Sequence, residues 1–113
     1  MINILKVEIL NEADRDLEFF MHTKSRLSRY YKLDEQETID CAVHIISDLI
    51  NDGFCSLAQG SYPYTLIQKT KEELNQLVSD NNSGTFLIST KKGADWLCRY
   101  EILIDELSSG DAA

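Results

Sequence analysis

Residues 34–54 read DEQETIDCAVHIISDLINDGF, a stretch that marks both ends of a helix and the start of a strand. Asp34 followed three residues later by Glu37 is the capping-box pattern, in which each side chain satisfies the other's free backbone N–H. Ile39, Ala42, Val43, Ile46, Leu49 and Ile50 recur at intervals of three and four, which predicts a core-facing stripe. Asn51-Asp52-Gly53 stops the helix, with Gly53 at the position that wants left-handed backbone. Phe54 to Ala58 then reads as a strand. The other face of this helix is unusual, because the stretch holds six carboxylates and no Lys or Arg. His44 stands there with Asp40 one turn before it and Asp48 one turn after, and Glu37 and Cys41 share that side.

Downstream, the Tyr62-Pro63-Tyr64 stretch predicts a loop leading into a strand over Thr65-Leu66-Ile67. Thr70 and Glu73 form a second capping box, opening a short helix through Leu74, Leu77 and Val78. Asn81 to Gly84 is a turn, and Thr85 to Ser89 is a strand. Thr90 can cap a last helix in which Trp96/Leu97, Tyr100, Leu103/Ile104 and Leu107 recur at helical spacing. Trp96, Cys98, Tyr100, Ile102 and Ile104 also alternate with period two, so residues 94–107 fit helix, the favoured assignment, or strand. Ser108 to Ala113 reads as a frayed tail. Upstream, MINILKVEIL over residues 1–10 fits a short strand or an extension of the next helix. From Asn11, a candidate N-cap with Glu12, Asp14 and Asp16 behind it, the chain is expected to be helical. Leu17, Phe20, Lys24, Leu27 and Tyr31 mark one stripe of that helix, and His22, Lys24, Arg26, Arg29 and Lys32 load its C-terminal half with positive charge.

The order helix, capped helix, glycine turn, strand, short helix, strand and Thr-led helix resembles a degenerate winged helix. The expected fold class is therefore α+β, mainly helical, with a small antiparallel sheet, and residues 1–113 form one domain. IISDLINDGF (45–54) is similar to the helix-to-strand junction before a wing, and FLISTKKGADWL (86–97) to the exit from a second wing strand. KTKEELNQLVSD (69–80) interrupts the usual two-stranded wing. With that interruption, residues 38–97 resemble small acidic proteins encoded beside polymorphic bacterial toxins, including immunity proteins of contact-dependent growth inhibition systems. The resemblance implies a cytosolic inhibitor that binds a co-encoded toxin domain.

Composition narrows the function independently. The formal net charge is −8, and residues 34–60 alone carry six acids and no base. Phosphate backbones are bound by clustered Lys and Arg, so this balance suits a basic protein better than nucleic acid. No apolar run approaches the roughly 20 residues that span a bilayer, and the first residues lack a basic, cleavable leader. A cytoplasmic protein with no membrane partner is expected. The three cysteines, Cys41, Cys55 and Cys98, form no CxxC pair and read as reduced, core-compatible residues.

No GxSxG, HExxH, Walker loop or glycine-rich dinucleotide turn is present. His44 with Asp40 and Asp48 is only a partial ligand set for a metal. Neither catalysis nor a cofactor is expected. The basic helix half, His22 to Lys32 with Tyr30 and Tyr31, is the best nucleic-acid candidate. Dipole complementation and pairing with the following helix's acids explain it more simply. The candidate partner surface is instead acidic: Asp34, Glu37, Asp40, His44, Asp48 and Asp52, with Glu101 and Asp105 from the last helix. Tyr62 and Tyr64 could add aromatic anchors. The preferred expectation is an immunity protein that blocks the basic surface of a toxin domain, with a nuclease the leading candidate. The alternative is a winged-helix transcription regulator reading DNA through Lys24, Arg26 and Arg29 or Lys91 and Lys92. Trp96 and Tyr100 are the candidate dimer residues if exposed.

Overall fold

The computed structural model describes residues 2–100, with side chains from Ile4 onward. Helix α1 spans Ile2–Arg15, α2 Phe20–Tyr30 and α3 Glu35–Asn51; then come β1 Cys55–Gln59, β2 Thr65–Ile67, α4 Lys71–Ser79 and β3 Thr85–Ser89. A fifth helix, α5, occupies residues 91–100 of the described chain. The fold is α+β and mainly helical with a small antiparallel sheet. Strand β1 is central, paired with β2 in the register Ala58↔Leu66 and with β3 in the register Leu57↔Leu87.

Local chemistry accounts for α3, α4 and the start of α5. Both predicted capping boxes form: Glu37 N–H donates to Asp34 at 2.8 Å with Glu37 accepting from Asp34 N–H at 3.1 Å, and Thr70 and Glu73 repeat the exchange. At the far end of α3, Gly53 N–H reaches Ile50 O and Phe54 N–H reaches Leu49 O, with Gly53 at φ +79°. That is the Schellman closure, which requires a left-handed residue where Gly53 stands. Thr90 caps α5 by accepting from Gly93 N–H at 3.1 Å, and it also donates to Gly53 O. The α5 start is thereby tied to the turn that ends α3. Residues 94–100 are helical, and the rest of the 94–107 assignment, with Glu101, Asp105 and the tail, lies outside the described residues.

The N-terminal third corrects the sequence expectation. The segment 2–10 is helix, the second of its two alternatives, and it runs on through Asn11, which lies inside α1 rather than capping a helix. The chain then breaks at Asp16–Phe19, so the stripe from Leu17 to Tyr31 is not one helix. The cause is tertiary. Glu18 pairs with Leu87 of β3 through two backbone bonds, N–H to O at 3.1 Å and O from N–H at 2.9 Å. Its side chain turns inward to 0% exposure and accepts from Arg26 Nε at 3.1 Å, Arg26 Nη2 at 3.0 Å and Thr23 Oγ1 at 2.8 Å. A buried carboxylate is tolerated only when paired and hydrogen-bonded. Here the pairing fixes where α1 ends and α2 begins.

The core lies between the helices and one sheet face. Leu5, Ile9 and Leu10 of α1, Phe20 and Leu27 of α2, six residues of α3 from Ile39 to Leu49, and Leu74 and Val78 of α4 close over Leu57 and Leu87. Ile45, which the sequence stripe omitted, is among the buried residues, whereas Ile50 is only half-buried. Cys55 is buried and Cys41 half-buried, but Cys98 is exposed, so the core-compatible assignment fails for Cys98, which lies on the solvent face of α5. Among the described residues, no helix is long and apolar enough to cross a membrane.

Candidate functional site

Helix α3 lies with one side against β1 and α4, and its capping box starts it in a fixed rotation. The opposite side therefore presents Glu37, Asp40, His44, Asp48 and Asp52, at successive steps of three or four, in a single line along the helix, with Cys41 beside them. Asp34 and Glu37 hold each other as the cap. Asp40 accepts from Gln36 Nε2 at 2.9 Å. Asp48 is internally committed, with Lys6 Nζ at 3.3 Å and His44 Nε2 at 3.5 Å from its Oδ2. Among the described residues, Asp34, Glu35, Glu37, Asp40 and Asp52 make no ion pair, and all five are exposed. At the end of the line Lys92 donates to the Asp52 backbone carbonyl at 2.7 Å and covers the Phe54 ring at 5.2 Å. Its charge partly offsets that of Asp52.

The line is flanked by two depressions. Between α2 and α3 a groove of about 440 Å³ is walled by Leu27, Tyr31, Leu33, Cys41 and Ile45, with Asp40 and His44 also lining it. Between α3 and α4 lies a polar cleft of about 600 Å³ that includes His44, Ser47, Asp48, Lys69 and Lys71. The acidic character is thus asymmetric about α3. The sequence signalled the acids but not the groove, because the groove depends on how α2 crosses α3.

Tyr62 and Tyr64 are not brought to this line. Tyr64 packs edge-on against Phe86 at 5.1 Å, and Tyr62 against Tyr64 at 5.7 Å. Phe86 is one residue from Leu87, and successive strand side chains point to opposite faces. Leu87 faces the core with α3, so Phe86 and the two tyrosines lie on the outer face. Phe19 continues that aromatic row, 5.8 Å from Phe86. Tyr62 is 84% exposed and Leu66, on the neighbouring edge strand, 63%.

The basic helix half is partly spent. Arg26 forks onto Glu18, a contact that raises its pKa above the ordinary guanidinium value despite the opposing effect of burial. It does not pair with α3, contrary to the simpler expectation, because Glu18 and Glu8 stand nearer. Tyr30 donates to Glu8, which holds its phenol above the usual range. Trp96 and Tyr100 are half-buried and stack at 5.3 Å, with Trp96 also against Phe54 at 5.4 Å. Neither is fully exposed. Around His44, among the described residues, no three His, Cys, Asp or Glu side chains converge as a metal cage would require. No protein family, curated protein or solved structure matches the chain.

Proposed function

We propose that the chain is an immunity protein that binds and neutralises a basic toxin domain encoded beside it, acting in the cytosol without catalysis of its own. The observation that carries this is the α3 line, where Glu37, Asp40 and Asp52 are exposed and have no ion-pair partner among the described residues, with Asp34 at its N-cap also unpaired. A nuclease must present Lys and Arg to phosphate, and a rigid row of carboxylates can occupy that surface in the phosphate's place. The capping box and the Schellman turn support the proposal by holding the row on a rigid element, which lowers the ordering cost of binding. Salt bridges already made within the chain add little to such recognition, so Asp34, Glu37, Asp40 and Asp52 are its principal residues and Asp48 a supporting one.

The DNA-reading alternative loses Arg26 to Glu18 and Lys92 to the α3 terminus. What remains for a phosphate backbone is Lys24, Arg29 and Lys91, against a formal net charge of −8. Co-expression with the adjacent basic toxin domain tests the proposal. Wild-type chain is expected to restore growth, and the Asp40→Lys/Asp52→Lys variant is expected not to. Rescue by neither, with retention of the wild type on duplex DNA at 0.15 M salt (about the physiological level), would replace the proposal with the regulator.

A further inference from the structure

The α2–α3 groove has an apolar wall, and the one carboxylate that lines it is Asp40, with His44 beside it. Leu27, Tyr31, Leu33, Cys41 and Ile45 supply the wall, and Asp40 stands on the rim with no cation partner among the described residues. Glu37 lies one turn before Asp40 on the same helix face, whereas Asp48 lines the α3–α4 cleft. Lys32 sits between Tyr31 and Leu33, but the backbone at Tyr31 is extended (φ −135°, ψ 146°), and successive side chains of extended backbone point opposite ways. The volume, about 440 Å³, falls within the roughly 300–1,000 Å³ typical of ligand pockets.

We infer that this groove receives an apolar side chain of the basic partner, one flanked on its own chain by Lys or Arg that meets Asp40 and Glu37. The inference rests on the acidic-line proposal and adds to it the place where the partner's central anchor sits. Charge selects this occupant over the others. A second copy brings a net charge of −8 to an acidic rim, and the chain's own residues 101–113 carry four acids and no base. Interface energy concentrates in desolvated pockets filled by large apolar or aromatic side chains and ringed by polar contacts. A groove with Asp40 on its lip and Glu37 one turn away suits that arrangement when the filling residue is bracketed by cations.

Three blocked peptides probe the groove directly: Lys-Leu-Leu-Lys, Glu-Leu-Leu-Glu and Lys-Ser-Ser-Lys, each acetylated and amidated. They are titrated into isotope-labelled Cys98→Ser protein, with amide shifts and the alkylation rate of Cys41 as readouts. Lys-Leu-Leu-Lys is expected to shift Leu33, Asp40, Cys41 and His44 and to slow Cys41 alkylation at least about threefold, with the other two peptides lacking both effects at equal concentration. Equal effects from the acidic or the serine peptide, or shifts confined to another surface, would overturn the inference. With the toxin domain itself, Leu33→Ser and Cys41→Ser are each expected to weaken binding at least about tenfold. The second variant guards against a folding defect in the first. Binding that survives both substitutions but is lost with Asp40→Lys would reject the groove and leave the immunity proposal standing. Peptide discrimination without any toxin binding would uphold the groove and reject immunity.

Discussion

Replacing Arg26 with Met would remove the only cation that directly pairs, among the described residues, with a fully buried carboxylate. Glu18 has 0% exposure and three hydrogen bonds, two of them from the Arg26 fork. Breaking a buried pair from one side costs about 3–5 kcal/mol, because the remaining charge is stranded. The Arg26 side chain is 16% exposed, so water can enter as the guanidinium leaves, which favours the lower end, about 3 kcal/mol. Against the roughly 5–15 kcal/mol that stabilises a small domain, this is a large loss. Removing both ends behaves differently. Glu18→Met/Arg26→Met strands no fully buried charge, leaving only the part-exposed Glu8 without its 3.9 Å contact to Arg26, and replacing buried pairs by apolar residues of similar volume is often close to neutral. The double variant is therefore expected to be more stable than Arg26→Met alone. Urea unfolding, followed by the fluorescence of the single tryptophan, Trp96, and by far-UV circular dichroism, measures all three variants. Coincident transitions and an unchanged slope would license the comparison. A cost below about 1 kcal/mol for Arg26→Met, typical of an exposed pair, would refute the claim that this pair sets the α1–α2 break.

Gly93→Ala is expected to destabilise the chain by about 1–3 kcal/mol or more, as overpacking does, since a Cβ there would stand 2.1 Å from Phe54 O; unaltered urea stability would contradict the close approach of α5 to the α3 turn. Thiol alkylation of the folded protein is expected to go first at Cys98, more slowly at Cys41, and not at Cys55 until unfolding, because burial pushes the Cys55 thiol up to about 12. Early modification of Cys55 by mass spectrometry would count against its placement. The Thr70 backbone N–H and hydroxyl hold Glu73 below the usual carboxylate range. The stability this contributes is present above the unfolded value of about 4.3 and is lost as pH falls through the lower folded value. Glu73→Gln is expected to flatten the stability–pH slope in that window, and an identical slope would dismiss the cap as its source.

What was legible in the sequence followed the range of the interactions that decide it. Helices α3 and α4 are closed by partners three to five residues apart: Asp34 with Glu37, Thr70 with Glu73, and Phe54 with Leu49. Such contacts appear as spacing. The break at Asp16–Phe19 is decided by Leu87, which is nearly seventy positions away, and by the Glu18–Arg26 fork. Leu17, Glu18 and Phe19 carry no local breaker, so the tertiary bridge overrides a helical pattern. The N-cap assigned to Asn11 failed for the same reason, since the apolar residues before it find partners on α2 and β3.

The candidate site divides along the same line. The acids of α3 and their common face could be read from the sequence, because helical period alone places them. Which carboxylates are already spent could not: Asp48 is claimed by Lys6 of α1, forty-two positions earlier. Tyr62 and Tyr64 were grouped with the acids on residue type, whereas the pairing of β1 with β3 sends Phe86, with Tyr64 edge-on against it and Tyr62 against Tyr64, to the outer sheet face. The groove beside Asp40 needs Leu27, Tyr31 and Leu33 to meet Cys41 and Ile45, a meeting that no periodicity records.

The central claim is that the unpaired acids of α3 bind a basic toxin domain, and titration calorimetry with that domain at 0.05 and 0.2 M salt (levels across which electrostatic binding changes strongly) tests it most directly. Wild-type chain is expected to bind more tightly at the lower salt. Asp40→Lys/Asp52→Lys, which leaves the Lys6–Asp48 pair intact, is expected to lose at least about 2 kcal/mol, the loss that marks an interface hot spot. Binding that ignores both salt and charge reversal would contradict the claim and place the contact surface away from α3.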